Sequence, residues 1–287
     1  MPRIAYVNGR YVAHTDAAVH VEDRGYQFGD AVYEVCEITR GFIIDLTGHL
    51  DRLGRSLSEL SIDWPIGRAA LIVVMREVIR RNRVTDGLVY LQVTRGVAGR
   101  DHFFPASDTK PSLVITAKKI DPASYARKAE TGLKIITVPE NRWDRVDIKS
   151  VGLLPNVLAK QQAKLSGAHD AWFVDRDGFV TESASANAWI VTKEGVLVTR
   201  PAKHGILRGI TRTTLFKVAE RLGLKIEERG FTVAEAMAAR EAFVSSATTT
   251  AMPVVAIDGH PVANGHPGSI TLSLRQAFFD VAEKSPA

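Results

Sequence analysis

The sequence contains a single cysteine, Cys36, among 287 residues. One thiol cannot close a disulfide within the chain, so the composition excludes a disulfide-stapled fold and fits a reducing compartment. It also excludes the cysteine-rich zinc sites, which draw several thiolates from one chain. The eight histidines show no clustered ligand spacing, and we therefore expect no bound metal.

Long apolar runs are also missing. The longest candidate extends from Ala69 to Met75 and is interrupted by Arg76 and Glu77, which is typical of a buried helix. The opening residues MPRIAYVNGRYV carry an Asn8-Gly9 turn signal where a signal peptide would have an apolar core. We therefore expect a cytoplasmic protein without a membrane partner. Its 45% hydrophobic content is enough for the core of one or two domains.

The sequence has no large excess of charge of one sign. The net charge is +5, and the 37 basic residues are interleaved with 32 acidic ones, so we expect no nucleic-acid partner. The exception, residues 76–83, looks like the solvated end of a helix, where cations complement the negative end of the helix dipole. An anionic substrate and a phosphate group offer a milder use for the remaining positive charge.

Three kinds of residue that pyridoxal 5'-phosphate (PLP) needs follow one another in the second half of the chain. Lys149 lies among apolar residues, and a lysine amine that is partly neutral can hold PLP as an imine. Glu182 ends an expected strand and precedes small residues that let the backbone approach a flat ring, whose nitrogen a carboxylate keeps protonated. Ile210 and Thr211 follow Gly209 at the start of a periodic helix, where N–H groups and a hydroxyl suit a phosphate. Together these residues predict a PLP site.

Each of these residues also has an ordinary structural interpretation. Lys149 could be a surface lysine at the end of a strand, and Glu182 could be an edge or helix-capping glutamate. Thr211 could be a plain threonine near a helix start. Arg52 lies off an apolar stripe of four leucines and could face either a phosphate or the solvent.

Six segments of the chain form one ordered set: EDRGYQFGDAVYEV (22–35), HLDRL (49–53), TRGVAGRDHFFP (94–105), DIKSVGLLPNVLAKQ (147–161), TESASAN (181–187) and GILRGITR (205–212). In order and spacing they resemble the class IV, fold-type IV PLP transaminases, and within these the D-amino-acid transaminases most closely. The resemblance covers essentially the whole chain. It implies an α+β, two-domain fold-type IV structure like that of D-amino-acid aminotransferases, with the cofactor between the domains.

The resemblance assigns the cofactor contacts residue by residue. It implies that Lys149 is the Schiff-base lysine and proton shuttle, and that Glu182 pairs with the pyridine nitrogen. Leu207 would pack against the face of the cofactor ring, and Asn187 would support the site. The remaining contacts would hold the phosphate and are Arg52, Ile210, Thr211, Ser246 and Ala247.

A second group of residues concerns the substrate. Arg100 and His102 lie two residues apart, so a guanidinium and an imidazole could converge on one carboxylate, although a solvated loop explains the same pattern. Tyr33 and Val35 alternate with their neighbours along an expected strand and should share one face, as in any half-buried strand. The resemblance implies that Arg100, His102 and Tyr33 bind the substrate α-carboxylate, with Val35 and Thr248 beside the substrate. It also implies a homodimer in which the neighbouring subunit supplies Arg100 and His102.

The resemblance further implies a ping-pong transaminase that transfers the amino group of D-alanine or D-glutamate to a 2-oxo acid such as 2-oxoglutarate or pyruvate. Leu154 stands five residues after the lysine, where branched-chain transaminases of this fold carry a tyrosine, and it argues against their activity. The alternatives on the same fold are a branched-chain or (R)-amine transaminase and an aminodeoxychorismate-lyase-type enzyme. A non-catalytic PLP carrier and a basic nucleic-acid-binding domain are alternatives from other classes.

Hydrophobic periodicity and turn residues predict a chain of two parts. A small N-terminal α/β domain over 1–120 is expected to contain strands at 4–7, 10–13, 32–38, 88–94 and 112–117 and helices near 48–60 and 66–82. Residues 121–132 are polar and contain Pro122 and Gly132, which favours a connector between domains. A large PLP-binding domain over 133–287 is expected to contain strands at 133–138, 170–174, 179–182 and 187–192 and helices at 155–166, 210–222, 232–239 and 269–283.

Overall fold

The computed structural model of the protein describes residues 3–203 and 205–287. They group into two compact units, of which the first contains residues 1–122, 148–152 and 283–287 and the second contains 123–147 and 153–282. The short segment 148–152, which includes Lys149, thus belongs with the N-terminal residues. The domain bounds expected from the sequence, 1–120 and 133–287, stay a prediction.

Strands and helices alternate along both units. The described strands are β1 (Ile4–Val7), β2 (Arg10–Ala13), β3 (Ala31–Thr39), β4 (Phe42–Ile44), β5 (Gly87–Thr94), β6 (Ser112–Lys119), β7 (Leu133–Pro139), β8 (Asp170–Val174), β9 (Val180–Ser183), β10 (Asn187–Val191), β11 (Leu197–Thr199), β12 (Ile226–Glu228), β13 (Glu241–Ser246), β14 (Thr250–Ile257), β15 (His260–Pro261) and β16 (Lys284–Pro286). The described α-helices are α1 (Arg24–Phe28), α2 (Leu46–Glu59), α3 (Arg68–Asn82), α4 (Pro122–Thr131), α5 (Leu154–Leu165), α6 (Ile210–Arg221), α7 (Val233–Met237) and α8 (Ser269–Val281).

The first unit is built on a seven-stranded antiparallel sheet in the order β16-β4-β3-β5-β6-β1-β2. The turn between β1 and β2 is the predicted Asn8-Gly9 hairpin, and both residues have positive φ, 43° and 92°, as a tight two-residue turn requires. Along β3, buried residues alternate with half-buried ones, so Tyr33 and Val35 share a face as expected. The opposite face contributes to the core of this unit.

Two helices cover the buried face of this sheet. The apolar stripe of α2 supplies Leu50, Leu53 and Leu57 to a core that also contains Cys36 and Met75. Helix α2 packs against β3, and α3 packs against β6 and β1. The polar residues His49 and Arg52 of α2 contact Glu34 on β3, the strand that also carries Tyr33.

The second unit is built on a nine-stranded mixed sheet in the order β12-β11-β10-β13-β14-β7-β8-β9, with β15 paired to β14. Strand β7 runs parallel to both β14 and β8, and the central strands are buried along nearly their whole length. Helix α8 packs against β13 and β14, and α5 packs against β7 and β8. None of the helices in the described ranges is long and apolar enough to cross a membrane.

The polar segment expected to form a connector, 121–132, is largely the helix α4. Proline is well tolerated in the first turn of a helix, so Pro122 starts this helix and does not interrupt it. Only Ala129 of α4 is fully buried, and Gly132 ends the helix with a positive φ of 72°. The few apolar residues of α4 explain why its sequence reads as a loop.

Candidate active site

Lys149 lies in a short extended segment alongside the first residues of β3. Its carbonyl accepts the Tyr33 N–H at 3.0 Å, and its own N–H donates to the Ser56 hydroxyl at 3.3 Å. The Val151 N–H donates to the Ala31 carbonyl at 3.1 Å, which fixes the segment on the other side of the lysine. The backbone of Lys149 is therefore held by contacts that do not involve its side chain.

The amine of Lys149 lies over an aromatic face. Its Nζ atom is 4.2 Å from the centroid of the Tyr33 ring, and that ring is stacked on Tyr90 at 5.7 Å between centroids. The Tyr90 hydroxyl donates to Gln92 at 2.7 Å, and burial together with the nearby Tyr33 raises the pKa of Tyr90 to about 12. The Tyr90 phenol therefore stays neutral at physiological pH. Tyr90 and Gln92 alternate with buried residues along β5, and this alternation is the only sequence feature that would have pointed to them.

Arg52, a predicted phosphate contact, is paired with a buried carboxylate. Its Nε and Nη2 atoms donate to the two oxygens of Glu34, each at 2.7 Å, and the Nδ1 atom of His49 lies 2.7 Å from the same carboxylate. Burial would raise the pKa of Glu34, but the charge of Arg52 and hydrogen bonds from Arg52 and His49 lower it to about 2. The pair fixes the orientation of Arg52, whose contact with a phosphate stays a prediction.

We expect the Glu34 pair to stabilise the fold above pH 4.5, the ordinary pKa of a glutamate, and to lose that contribution as the pH falls towards about 2. Glu34→Gln should lower the free energy of unfolding at neutral pH by about 3–5 kcal/mol, because it leaves a buried Arg52 without its counter-charge. Urea unfolding from pH 7 down to pH ~3 measures both effects.

The matched control for this prediction is Glu59→Gln on the exposed side of α2. Glu59 lies 3.6 Å from Arg55 at the surface, so its loss should change stability by less than about 1 kcal/mol. Equal stability of the Glu34→Gln variant and the unmodified protein would contradict the role given to the buried pair.

Arg100 and His102, the predicted carboxylate-binding residues, meet at one aromatic ring. The guanidinium carbon of Arg100 lies 5.1 Å from the centroid of the Phe28 ring, and the His102 ring lies 5.6 Å from it. Arg24 also lies over Phe28, at 4.7 Å. The structure therefore brings the two predicted residues together on the end of α1.

The loop that carries these residues is anchored by buried arginines. Arg24 donates to the Asp101 carbonyl at 2.7 Å and to Asp30 at 2.9 Å. Arg95 adds two hydrogen bonds to the same Asp30 carboxylate, at 2.7 and 3.0 Å. The sequence alone does not predict these anchors, although Arg24 and Asp30 lie in the segment 22–35.

In the second unit, the predicted residues Glu182, Asn187 and Leu207 form one hydrogen-bonded group. The Asn187 side-chain amide donates to Glu182 at 3.1 Å and to the Leu207 carbonyl at 2.9 Å. The Leu207 N–H points to the Glu182 carboxylate, at 3.3 and 3.4 Å from its two oxygens. Asn187 thus links the carboxylate on β9 to the segment that precedes α6.

Arg142 holds Glu182 from another side and is not predicted from the sequence. Its Nη1 atom donates to Glu182, while Nε and Nη2 donate to Glu140 at 2.8 and 2.6 Å. The guanidinium also stacks on Phe173, 4.5 Å from the ring centroid. Burial would lower the pKa of Arg142, but the two carboxylates raise it, so a permanent cation lies against the buried Glu182 carboxylate and favours its charged form.

Glu140 completes this charged group. It accepts hydrogen bonds from Arg142 and from the Thr181 hydroxyl, the latter at 2.6 Å. Burial would raise the pKa of Glu140, but Arg142 and Thr181 bring it below its ordinary value. The second unit therefore contains two carboxylates around one arginine, and of the two it is Glu182 that contacts Asn187 and Leu207.

Besides Arg52 on α2, the predicted phosphate contacts lie at the start of α6 and around the turn between β13 and β14. Helix α6 begins after Gly209 without a side-chain cap, so its first N–H groups are placed to receive an anion. A Cβ at Gly209 would lie 2.1 Å from the Asn187 side-chain oxygen, so glycine is required for this close approach. The Ser246 hydroxyl lies 3.1 Å from that of Thr248, which groups the polar atoms of the turn.

Comparison with known proteins agrees with this geometry. Residues 31–257 match the family model of amino-transferase class IV. The chain therefore belongs to the class IV aminotransferases, which are PLP-dependent enzymes.

Its relatives include the D-alanine aminotransferase of Bacillus licheniformis, which is 40% identical over 271 residues, covering 94% of each chain. The D-alanine aminotransferase of Staphylococcus haemolyticus is 39% identical over 276 residues, covering 95% of each chain. Among solved structures, the branched-chain amino acid aminotransferase of Escherichia coli has a TM-score of 0.91 at 26% identity, covering 98% of this chain and 95% of that one. The branched-chain aminotransferase of the archaeon Thermoproteus uzoniensis, solved with norvaline, has a TM-score of 0.83 at 25% identity, covering 98% of each chain.

The described residues fit PLP by the chemistry of their donors. Lys149 offers a half-buried primary amine, and Glu182 offers a buried carboxylate whose charged form Arg142 favours. The uncapped start of α6 offers N–H groups for a phosphate. The two-domain fold-type IV interpretation of the sequence is confirmed by the family match and by the solved structures that share the fold.

Proposed function

We propose that the protein transfers the amino group of a D-amino acid, of the D-alanine or D-glutamate type, to a 2-oxo acid such as 2-oxoglutarate or pyruvate. The observation that carries this proposal is the 40% identity to a D-alanine aminotransferase over nearly the full length of both chains. The grouping of Arg100 and His102 at Phe28 supports the same substrate class. A guanidinium and an imidazole side by side suit the α-carboxylate that every amino acid carries.

The proposed catalytic residue is Lys149. When bound, PLP supplies a ring that withdraws electrons from the substrate α-carbon. Lys149 would hold the cofactor through its amine and would then move the proton at the substrate α-carbon. Glu182, whose charged form Arg142 favours, would hold a proton on the ring nitrogen, and Leu207 would cover a face of the ring.

The remaining residues bind and orient. We assign the phosphate to Ile210 and Thr211 at the start of α6, to Ser246 and Ala247 at the turn after β13, and to Arg52 on α2. The substrate carboxylate is assigned to Arg100 and His102 with the Tyr33 hydroxyl, and the substrate side chain is assigned to Val35 and Thr248. The aromatic rings of Tyr33 and Tyr90 keep this face half-buried, which limits the access of water.

The visible spectrum of the purified protein tests the substrate class directly. We expect D-alanine, added without an acceptor, to bleach the visible band of the lysine-bound cofactor, and L-alanine to leave it unchanged. The carboxylate contact decides which way the α-carbon faces the lysine, so the enantiomers should differ in rate by at least ~10²-fold. Stopped-flow absorbance with each enantiomer measures this ratio.

The alternatives predict other results in the same experiment. Bleaching by L-amino acids alone would replace the D-amino-acid assignment with a branched-chain activity, for which the Escherichia coli relative is named. Release of pyruvate without amino transfer would indicate a lyase. If no amino acid changes the cofactor band, the protein would be a non-catalytic PLP carrier.

We also propose a homodimer, in the cytoplasm, in which each subunit supplies Arg100 and His102 to its neighbour. Helix α5 carries an apolar side that supports a second copy as its partner. Leu154, Val157, Leu158 and Leu165 share this side and are 58–79% exposed. Exposed apolar stripes of this kind mark association surfaces in proteins. Leu154, the residue that argues against branched-chain activity, lies at the first position of α5.

Complementation between inactive subunits tests the dimer and the crossing of Arg100 together. Co-expressed Lys149→Ala and Arg100→Ala chains should regain activity, because one of the two sites in each mixed dimer then has both residues. Random pairing predicts about a quarter of the unmodified activity. Steady-state rates of the co-purified mixture, compared with each variant alone, measure it. Activity no higher than the sum of the two variants would contradict the exchange.

A further inference from the structure

The turn between β13 and β14 contains a backbone conformation that its residue disfavours. Ser246 pairs with Thr250 across a three-residue loop, and the Thr249 N–H donates to the Ser246 carbonyl at 3.2 Å. A loop of this length needs a left-handed residue at its end, usually glycine. Here the left-handed residue is Thr250, the first paired residue after the loop, with a φ of 56°. A β-branched residue in this region costs roughly 1–2 kcal/mol, so something must hold it there.

Arg275 on α8 contacts the backbone on both sides of Thr250. Its Nη1 atom donates to the Thr249 carbonyl at 2.5 Å and to the Ala251 carbonyl at 3.3 Å. One guanidinium nitrogen thus bridges the carbonyl groups of the two residues next to the left-handed one. Hydrogen bonds from a charged donor are stronger than those between neutral groups, so they can offset the backbone cost.

Helix α8 is itself fixed to the strand that enters the turn. The buried Glu241 carboxylate on β13 accepts the N–H groups of Ile270 and Thr271, at 2.9 and 2.8 Å, and the Thr271 hydroxyl at 2.8 Å. The Glu241 carboxylate therefore caps the start of α8, because Gly268 at the N-cap position has no side chain to do so. A Cβ at residue 268 would lie 1.9 Å from the Glu241 carboxyl carbon, so only glycine leaves room for this cap. This cap sets the position of Arg275 along the helix relative to the turn.

We propose that Arg275 is a positioning residue that holds the 246–250 turn in the strained form in which Ser246 and Ala247 bind the cofactor phosphate. The inference rests on the proposed phosphate contacts of this turn. Strained backbone conformations persist where the surrounding structure imposes them, and they concentrate at binding sites. The hydroxyl group of Ser246 lies 2.9 Å from that of Thr249, so the donor side chains of the turn depend on the same backbone form.

Arg275→Met should weaken binding of pyridoxamine 5'-phosphate roughly tenfold and leave binding of unphosphorylated pyridoxamine unchanged, since only the phosphate contacts depend on the turn. Fluorescence titration of the cofactor-free, full-length protein with each compound measures the ratio. Arg275→Lys should fall between, because it keeps the positive charge but the lysine ammonium does not reproduce the placement of the Nη1 atom that makes both hydrogen bonds.

A second substitution, Thr250→Gly, tests whether Arg275 acts through the backbone conformation of Thr250. Glycine adopts the left-handed region without cost, so Arg275→Met in the Thr250→Gly protein should lose far less phosphate affinity than in the unmodified protein. The inference would be overturned if Arg275→Met left the affinity for pyridoxamine 5'-phosphate unchanged, or if it lowered the affinities for both compounds equally. It would also be overturned if Arg275→Met lowered the affinity for pyridoxamine 5'-phosphate equally in the unmodified and the Thr250→Gly proteins. If the unmodified protein binds neither compound, the proposed function fails. If the Arg275→Met protein binds pyridoxamine 5'-phosphate as tightly as the unmodified protein and still carries out transamination, the inference about Arg275 is overturned and the proposed function stands.

Discussion

Lys149→Ala is expected to abolish transamination, with turnover at least ~10³-fold lower, because the variant loses the amine that we propose to hold the cofactor and to move the α-proton. The visible band of the lysine-bound cofactor should be lost as well. The fold should remain, because Lys149 is held through its backbone N–H and carbonyl, to Ser56 and Tyr33. Steady-state kinetics with D-alanine and 2-oxoglutarate, together with absorbance spectra, measure both effects.

Lys160→Ala is the matched control for this variant. Lys160 lies on α5 and pairs with Asp170 at 2.7 Å, so the substitution removes one positive charge from a residue that has no proposed contact with the cofactor or the substrate. It should keep near-normal turnover. A small free amine added to the Lys149→Ala protein should restore part of the rate, because it replaces the missing base in the space left by the side chain. Normal transamination by Lys149→Ala would remove the central assignment.

Local signals predict the parts of the fold that depend on neighbours in sequence. The Asn8-Gly9 turn needs two residues with positive φ, and the sequence places two suitable residues there. Strand β3 has one buried face and one half-buried face, so its alternation is visible and places Tyr33 and Val35 together. These features follow from turn chemistry and strand geometry alone.

The strands β13 and β14 escape prediction because they are buried on both faces. Their burial removes the alternation of apolar and polar residues that marks a half-exposed strand, and Pro253 within β14 reads as a break. The turn between them is visible only as the polar run at 246–250. The helix α4 is missed for the opposite reason, since it buries little and looks polar throughout.

The pairing of charged residues within each unit cannot be predicted from the sequence. Glu34 pairs with Arg52 across 18 positions, and Arg142 pairs with Glu182 across 40. Such pairs leave no periodic pattern, because the fold and not local spacing brings them together. The family resemblance names Glu182 and Arg52 but gives no reason for Glu182 to be ionised in a buried position. The Arg142 guanidinium supplies that reason.

Glu182→Gln is expected to lower kcat by roughly 10²-fold while leaving most of the cofactor bound, because an amide cannot hold a proton on the pyridine nitrogen. The amide oxygen can keep the contacts to Asn187 and to the Leu207 N–H. Arg142 loses its contact to residue 182 but keeps two hydrogen bonds to Glu140, so the local structure should persist. The matched control is Glu140→Gln, which removes the other carboxylate on Arg142 but has no contact with Leu207 among those described. Glu140→Gln should reduce stability and leave kcat near normal. Half-reaction rates and thermal unfolding of both variants separate the two effects. An equal fall in kcat for both would mean that Glu182 acts through Arg142 and the charge of this group, and not through the ring nitrogen.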